Sequence, residues 1–298
     1  MRVALLTLAA VAALAAPAQA SAHPRGPAVA LDYCLRLATP PAGLHVRILD
    51  GDRSLETSVG SGTQLLVRGY LREPMLRFDA LGVFANASSP TAQADRLVGH
   101  GSGWVRVASG RTFAWHEHRL TPSGAHGSFS IPVEVNGRRS VIAGTFVRVP
   151  RPALWPWLAG AVVLAAGVWA GAARRNLRLP LATTLGVAAG TAALAATVGF
   201  ALRDRPGGGA GWLEIGTAAA VALALGIPLV RLGGRRRAQA AGVAGAVAAA
   251  VTVASLPVFW HGVVISALPA GVVRLACALA LVGGASAAAL SLLPEFDA

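Results

Sequence analysis

Two different rhythms of apolar and polar residues divide this chain. Between residues 28 and 149 the apolar residues come in short runs broken by Gly, Pro, Asn and Asp. The runs are Leu44 to Leu49, Gln64 to Tyr70, Met75 to Phe78, Gly82 to Ala85, Trp104 to Ala108, Ser128 to Val135 and Ser140 to Val149. Runs of this length with turn residues between them predict strands. Asn136-Gly137 separates the last two, and because both residue types tolerate positive φ the pair predicts a tight hairpin. About seven to nine short strands predict an exported all-β domain, an antiparallel immunoglobulin-like sandwich. No helix is expected before residue 150.

After Pro150-Arg151-Pro152 the rhythm gives way to long apolar tracts near 153–173, 180–202, 211–230, 238–259 and 266–293. A helix needs about 20 residues to cross a hydrocarbon core, and each tract reaches that length. Ala, Leu, Val and Gly dominate, which suits helix packing through small residues. Trp155, Trp157, Trp212 and Trp260 fall at the tract ends, where indole rings favour the interface. Arg174, Arg175 and Arg178 lie between tracts one and two, and Arg231, Arg235, Arg236 and Arg237 between tracts three and four. The positive-inside rule then places residues 23–151 outside and the C-terminus in the cytoplasm of a multi-pass membrane protein.

The first residues add a third part. Arg2 precedes an apolar stretch from Val3 to Ala16 that is short for a span, and small residues follow in Ala18-Gln19-Ala20 and Ala20-Ser21-Ala22. That pattern predicts a secretory signal peptide, the other reading being a retained anchor. Cleavage at the second site makes His23 the first residue of the mature chain. The expected division is therefore a signal at 1–22, an extracytoplasmic β-domain at 23–151 and a five-helix all-α membrane bundle at 152–298.

Composition fits the membrane reading: 54% of residues are hydrophobic and 13% charged, about half the charged share of soluble domains. All 26 basic residues are Arg, and the net charge of +13 is spread along the chain rather than gathered among aromatics. Nucleic acid is thereby excluded as a partner. The expected partners are the lipid bilayer and a membrane or extracytoplasmic protein. Cys34 lies in the exported part and Cys277 in a span, so a disulfide between them is not expected, and Cys34 reads as a small buried hydrophobe.

The densest chemistry is Trp115-His116-Glu117-His118-Arg119. On a strand, the period of two puts His116 and His118 on one face and Trp115, Glu117 and Arg119 on the other. Two neutral imidazoles side by side begin a copper or zinc site. Candidate third donors are His23, His45, His100, His126, Glu73 and Asp79; His23, as a free N-terminus, would offer an amine with its imidazole, which suits Cu(II). The competing reading is a packed corner in which Trp115 fills the core, Glu117 pairs with Arg119 or another Arg, and the histidines hydrogen-bond locally. No Gly-x-Ser-x-Gly elbow, phosphate loop or Cys-x-x-Cys occurs, so no catalytic residue is assigned and no enzymatic activity is expected. Within the spans, Glu214 and Arg274 are the only charged candidates and His261 follows Trp260. Sparse charge suits an anchor or docking unit better than an ion pathway.

Several segments recur together in a way that resembles a known group. They are Val46-Arg47-Ile48-Leu49-Asp50-Gly51-Asp52, Gly69-Tyr70 with Glu73-Pro74, Leu76-Arg77-Phe78, Gly82-Val83-Phe84 with Asn86, and Ser89-Pro90. With the Trp-His-Glu-His-Arg segment they resemble an uncharacterised family of actinobacterial membrane proteins over about residues 40–150. Such proteins pair an exported β-domain carrying a Trp-His-Asp/Glu-His-Arg motif with C-terminal membrane helices. A His-Trp-Met segment often follows the motif there, where this chain has Leu120-Thr121-Pro122. The family implies no established activity. A weaker resemblance, in layout and His23 alone, is to bacterial copper-resistance proteins. The expected function is a membrane-anchored extracytoplasmic binding module, with metal at His116 and His118; the alternative is a copper-handling membrane protein of copper homeostasis, capturing or transporting the ion.

Overall fold

The structure is a computed structural model that describes residues 29–49, 51, 54–122, 124–203 and 211–293. The expected signal peptide and His23 lie outside the described residues. Two compact units form. Residues 31–149 make one, and residues 150–203 and 211–293, together with Val29 and Ala30, make the other.

The first unit is built of antiparallel strands in two sheets. After the two-residue β1 (Ala30–Leu31), β2 (Tyr33–Leu37), β5 (Leu65–Arg68), β6 (Pro74–Asp79), β7 (Gly82–Asn86), β8 (Trp104–Ala108), β10 (His126–Val135) and β11 (Arg138–Arg148) form a seven-stranded sheet in the order β2-β11-β10-β5-β6-β7-β8. β3 (Leu44–Leu49), β4 (Ser54–Val59) and β9 (Thr112–His116) form a second sheet in the order β3-β4-β9. Seven and three strands differ from the four and three of the simplest immunoglobulin sandwich. Val46, Leu55, Val59 and Trp115 of the smaller sheet pack into one core with Val67, Leu76, Phe78, Val83, Ile131, Val133 and Ile142 of the larger.

The hairpin β10–β11 turns at Asn136 (φ 50°) and Gly137 (φ 76°), with Val135 opposite Arg138. These dihedral signs belong to a type I′ turn, whose twist matches the strands it joins. The Asn136 carboxamide does a second task, accepting a hydrogen bond from the Gln64 N–H at 2.8 Å beside β5.

Three strands are added to the expected set. β2 is five residues long with Arg36 inside it, β4 carries three consecutive polar residues, Glu56, Thr57 and Ser58, so neither has a strong apolar run, and β9 leads into the His motif. Cys34 is exposed on β2, a correction to its reading as a buried hydrophobe. Its strand is an edge paired only with β11, and the alternation turns Leu35 and Leu37 toward the core instead. A short helix α1 (Pro90–Ala94) also forms where none was expected. Ser89 caps it by accepting from the Ala92 N–H at 3.2 Å, and Pro90 takes the first turn, where its missing N–H is harmless.

The second unit contains helices α2 (Trp155–Ala172), α3 (Arg178–Ala201), α4 (Trp212–Arg231), α5 (Gly234–Thr252), α6 (Ala270–Ala278) and α7 (Gly284–Leu292), with α6 and α7 joined through a single π turn at Leu279–Gly283. With their flanking turns they give five segments long and apolar enough to cross a membrane, the last being Ala270–Leu292. Small residues let the backbones meet: a Cβ added to Gly284 would collide with the Gly245 carbonyl oxygen. Thr183, Thr191, Thr197, Thr217 and Thr252 each donate a hydroxyl to the carbonyl four residues earlier. Arg274 donates to the carbonyls of Val258 (2.8 Å), His261 (3.0 Å) and Gly262 (3.3 Å), closing the turn after the fourth span.

Candidate functional site

β9 ends at His116, and the chain leaves the sheet through Glu117 into a 3-10 turn, His118–Leu120. The strand pairs with β4, placing Trp115 opposite Leu55 and His116 opposite Ser54. Trp115 points inward and is 2% exposed. Glu117 is still extended (φ −128°, ψ 97°) and is also buried, at 1%.

A buried carboxylate is stable only when paired and hydrogen-bonded. Glu117 meets that demand locally. Its Oε2 accepts from the Trp115 indole N–H at 3.1 Å and from Arg119 Nη2 at 2.7 Å. Its Oε1 accepts from Arg119 Nε at 2.7 Å and from the Arg119 backbone N–H at 3.1 Å. The fork of Arg119 is thus bidentate, the strong form of this pair. Its remaining Nη1 donates to the Arg68 carbonyl at 3.1 Å, and the guanidinium lies 5.0 Å from the centre of the Tyr70 ring. Trp-x-Glu-x-Arg is therefore a structural knot, as the packed-corner reading of those three residues expects.

The knot turns the two histidines the other way. Their ring centroids are 4.3 Å apart, edge to face at 89°. His118 also donates its backbone N–H to the Tyr70 hydroxyl at 3.0 Å, and its Nε2 stands 3.7 Å from Asp95 Oδ1.

Tyr70 and Asp95 reach this place through a second network. Glu73 Oε1 accepts from the Ser89 hydroxyl (2.8 Å) and the Thr91 N–H (3.3 Å), and its Oε2 from the Leu71 N–H (3.0 Å). The Thr91 hydroxyl oxygen accepts the Tyr70 N–H at 2.9 Å, and the Asn86 amide donates to the Pro74 carbonyl at 2.9 Å. Gly69 has no alternative, since a Cβ there would strike the Glu73 carboxylate and the Thr91 hydroxyl. Gly69-Tyr70, Glu73-Pro74, Asn86 and Ser89-Pro90 thus converge on one corner, tying the β5–β6 turn to α1. Burial alone would raise the Glu73 pKa, but the hydrogen bonds from Thr91 and Ser89 outweigh it and hold the carboxyl below its usual range.

Asp95 ends α1, its N–H bonded to the Thr91 carbonyl at 3.0 Å. The side chain is 2% exposed, and Oδ2 has no hydrogen-bond partner. Burial, reinforced by the charge of Glu117 and opposed by His118 and Arg119, pushes its pKa up to about 6. Burial also raises the Tyr70 phenol well above its ordinary value, with Glu117 adding to the effect.

The other expected donors do not join this group. Glu73 and Asp79 are engaged, Asp79 with Arg77 at 3.1 Å and with the Leu81 N–H at 2.8 Å. His45, His100 and His126 are exposed on β3, in a loop and at the start of β10. Among the described residues no three His, Cys, Asp or Glu side chains stand in metal-holding geometry. Sequence reading missed Asp95 and Tyr70; the Ser89-Pro90 helix start and the Gly69-Tyr70 pair were the available signals.

No family model, no curated protein and no solved structure matches this chain.

Proposed function

We propose that this protein is a membrane-anchored extracytoplasmic binding module, without enzymatic activity, whose recognition element is the His116–His118 pair. The observation that carries this reading is the edge-to-face packing of the two imidazoles at 4.3 Å on a backbone held rigid by the Trp115–Glu117–Arg119 knot. Preorganised imidazoles on a rigid support suit a transition-metal ion, copper or zinc. Arg174, Arg175, Arg178, Arg231, Arg235, Arg236 and Arg237 support an orientation with the β unit outside. Trp155, Trp212 and Trp260 fall at the opposite ends of the spans, which suits an outer aromatic belt. The immunoglobulin-like sandwich belongs to this proposal as the nearest description of two sheets around one core, and so does the resemblance to the actinobacterial family, which rests on the set of segments from Val46 to Arg119 named above.

The copper-handling alternative needs polar ligands along a route through lipid. Among the described residues of the spans, the threonine hydroxyls named above return to their own helices, and Arg274 is held by three carbonyls. That weighs for capture outside without transfer. Metal analysis of the full chain purified in detergent tests the reading, followed by titration with Zn(II) and Cu(II). The expected result is one ion per chain in the unmodified protein and none after His116→Ala/His118→Ala. Equal occupancy in both proteins would remove the proposal, and altered copper tolerance in a deletion strain would favour the alternative.

A further inference from the structure

We propose that the space between α3, α4 and α5 is a binding site for the chain of an isoprenoid lipid. The inference goes beyond the reading of the histidines and does not depend on it; it rests on the five apolar segments crossing a bilayer. Its ground is a cavity of about 790 Å³ bordered by those three helices. α4 packs against both neighbours yet buries none of its residues, whereas 39% of the apolar window around α3 and 44% of that around α5 are buried. Leu213, Thr217, Val221, Leu225 and Leu229, spaced by four, lay one face of α4 along the whole length of the space.

The lining decides what can enter. Small residues in membrane helices ordinarily bring backbones together. Gly186 follows that rule, since a Cβ there would strike the Ala241 carbonyl oxygen of α5. Gly190 of α3 and Gly226 of α4 do not: both border the cavity, and a Cβ on either would meet nothing within 4 Å. They keep the space open instead of closing the helices on each other. Thr191, Thr197 and Thr217 also border it, but their hydroxyls donate to the carbonyls of Val187, Ala193 and Leu213 in their own helices, at 2.9, 2.9 and 2.7 Å. Among the described residues of the lining, Glu214 is the only ionisable one, and it stands at one end, in the first turn of α4. The remainder suits an apolar chain.

Length and width narrow the class. From Leu213 to Leu229 the helix rises about 24 Å. Half of a hydrocarbon core is about 15 Å, so the space runs past the midplane, beyond the leaflet that an acyl chain fills. The 790 Å³ spread over about 24 Å gives a section about 6 Å across, and carbon atoms in contact stand about 4 Å apart, so one chain fits and two do not. A single chain longer than a leaflet, with methyl branches that fill a section wider than a bare chain, describes an isoprenoid lipid and not a two-chain phospholipid.

The test uses the full chain in detergent, incubated with the long polyprenol solanesol or with dioleoylphosphatidylcholine, and native mass spectrometry to count what stays bound. One solanesol per chain is expected. Gly190→Leu and Gly226→Leu each place a side chain in the space and are expected to cut the bound fraction roughly tenfold or more. Gly271→Leu, on α6 and outside the lining, should leave it unchanged. Solanesol that does not stay on the unmodified chain, or that stays equally on all three variants, overturns the proposal. So does phosphatidylcholine retained in its place and lost in the same two variants, which makes the occupant an acyl lipid. Should the leucine variants fail to fold, a diazirine-bearing prenol is photolysed on the unmodified chain. Label on residues 186–197 and 213–229 supports the site, and label confined to other segments overturns it.

Discussion

The indole N–H of Trp115 donates to the carboxylate of Glu117 at 3.1 Å, two residues on, and both side chains are buried. That bond joins the core of the β unit to the turn that carries His118. It makes Glu117 an acceptor for a core aromatic and a counter-ion for Arg119 at once.

The two variants at this bond should therefore differ in size of effect. Glu117→Gln keeps an acceptor but leaves the Arg119 guanidinium without its charge partner, and breaking a buried pair costs about 3–5 kcal/mol. Trp115→Phe keeps an aromatic ring and removes one donor from an oxygen that retains Arg119, a loss of about 1–2 kcal/mol. Thermal unfolding and hydrogen exchange of residues 112–120 should rank them in that order. The reverse ranking would show that the ring, rather than the ion pair, dominates the knot.

Asp95 gives a pH dependence with a definite sign. Its pKa is raised from 3.8 to about 6 in the fold, so the folded chain binds more protons than the unfolded chain across that window. The stabilising contribution is present at low pH and declines as pH rises from about 4 to above 6. In metal-free protein, Asp95→Asn should gain on the unmodified chain over the same range, by a few kcal/mol at pH 7.5, and should lose that gain at pH 4. Melting curves at both pH values check it, with pH-independent differences counting against the buried-carboxylate account.

Packing of the spans should depend on where each glycine lies. Gly284→Val drives a side chain toward the Gly245 backbone, and overpacking of that kind costs about 1–3 kcal/mol. Gly271→Val, in α6 with nothing within 4 Å of the new Cβ, serves as the comparison and should be nearly silent. Unfolding of the full chain by graded detergent denaturation should separate the two, and equal sensitivity would argue against a Gly245–Gly284 contact.

Orientation is testable by fusion. Reporters at Asp204, Arg236 and Ala298 should read outside, inside and inside, following the arginine placement. A C-terminal reporter active outside would remove the five-span, cytoplasmic C-terminus arrangement.

The short apolar runs broken by turn residues, the Asn136-Gly137 turn and the length of the apolar tracts made the strands β3, β5 to β8, β10 and β11 and the five spans legible from residues alone, because each rests on local geometry and burial. β2 and β4 were not legible: they owe their strand form to ladder partners, and β4 carries Ser54, Glu56, Thr57 and Ser58 between two neighbours. The motif placed Trp115, Glu117 and Arg119 together by the strand period, and they do meet, although the strand ends at His116 and it is the 3-10 turn His118–Leu120 that brings Arg119 back onto Glu117. What it could not declare is the company kept by the histidines. Asp95 and Tyr70 arrive from other elements, brought by Glu73, Ser89 and Thr91 across a fold in which sequence separation says nothing about distance. Local sequence determined that the two histidines stand two residues apart at a strand end; only tertiary packing decided that the buried Asp95 carboxylate would stand beside His118.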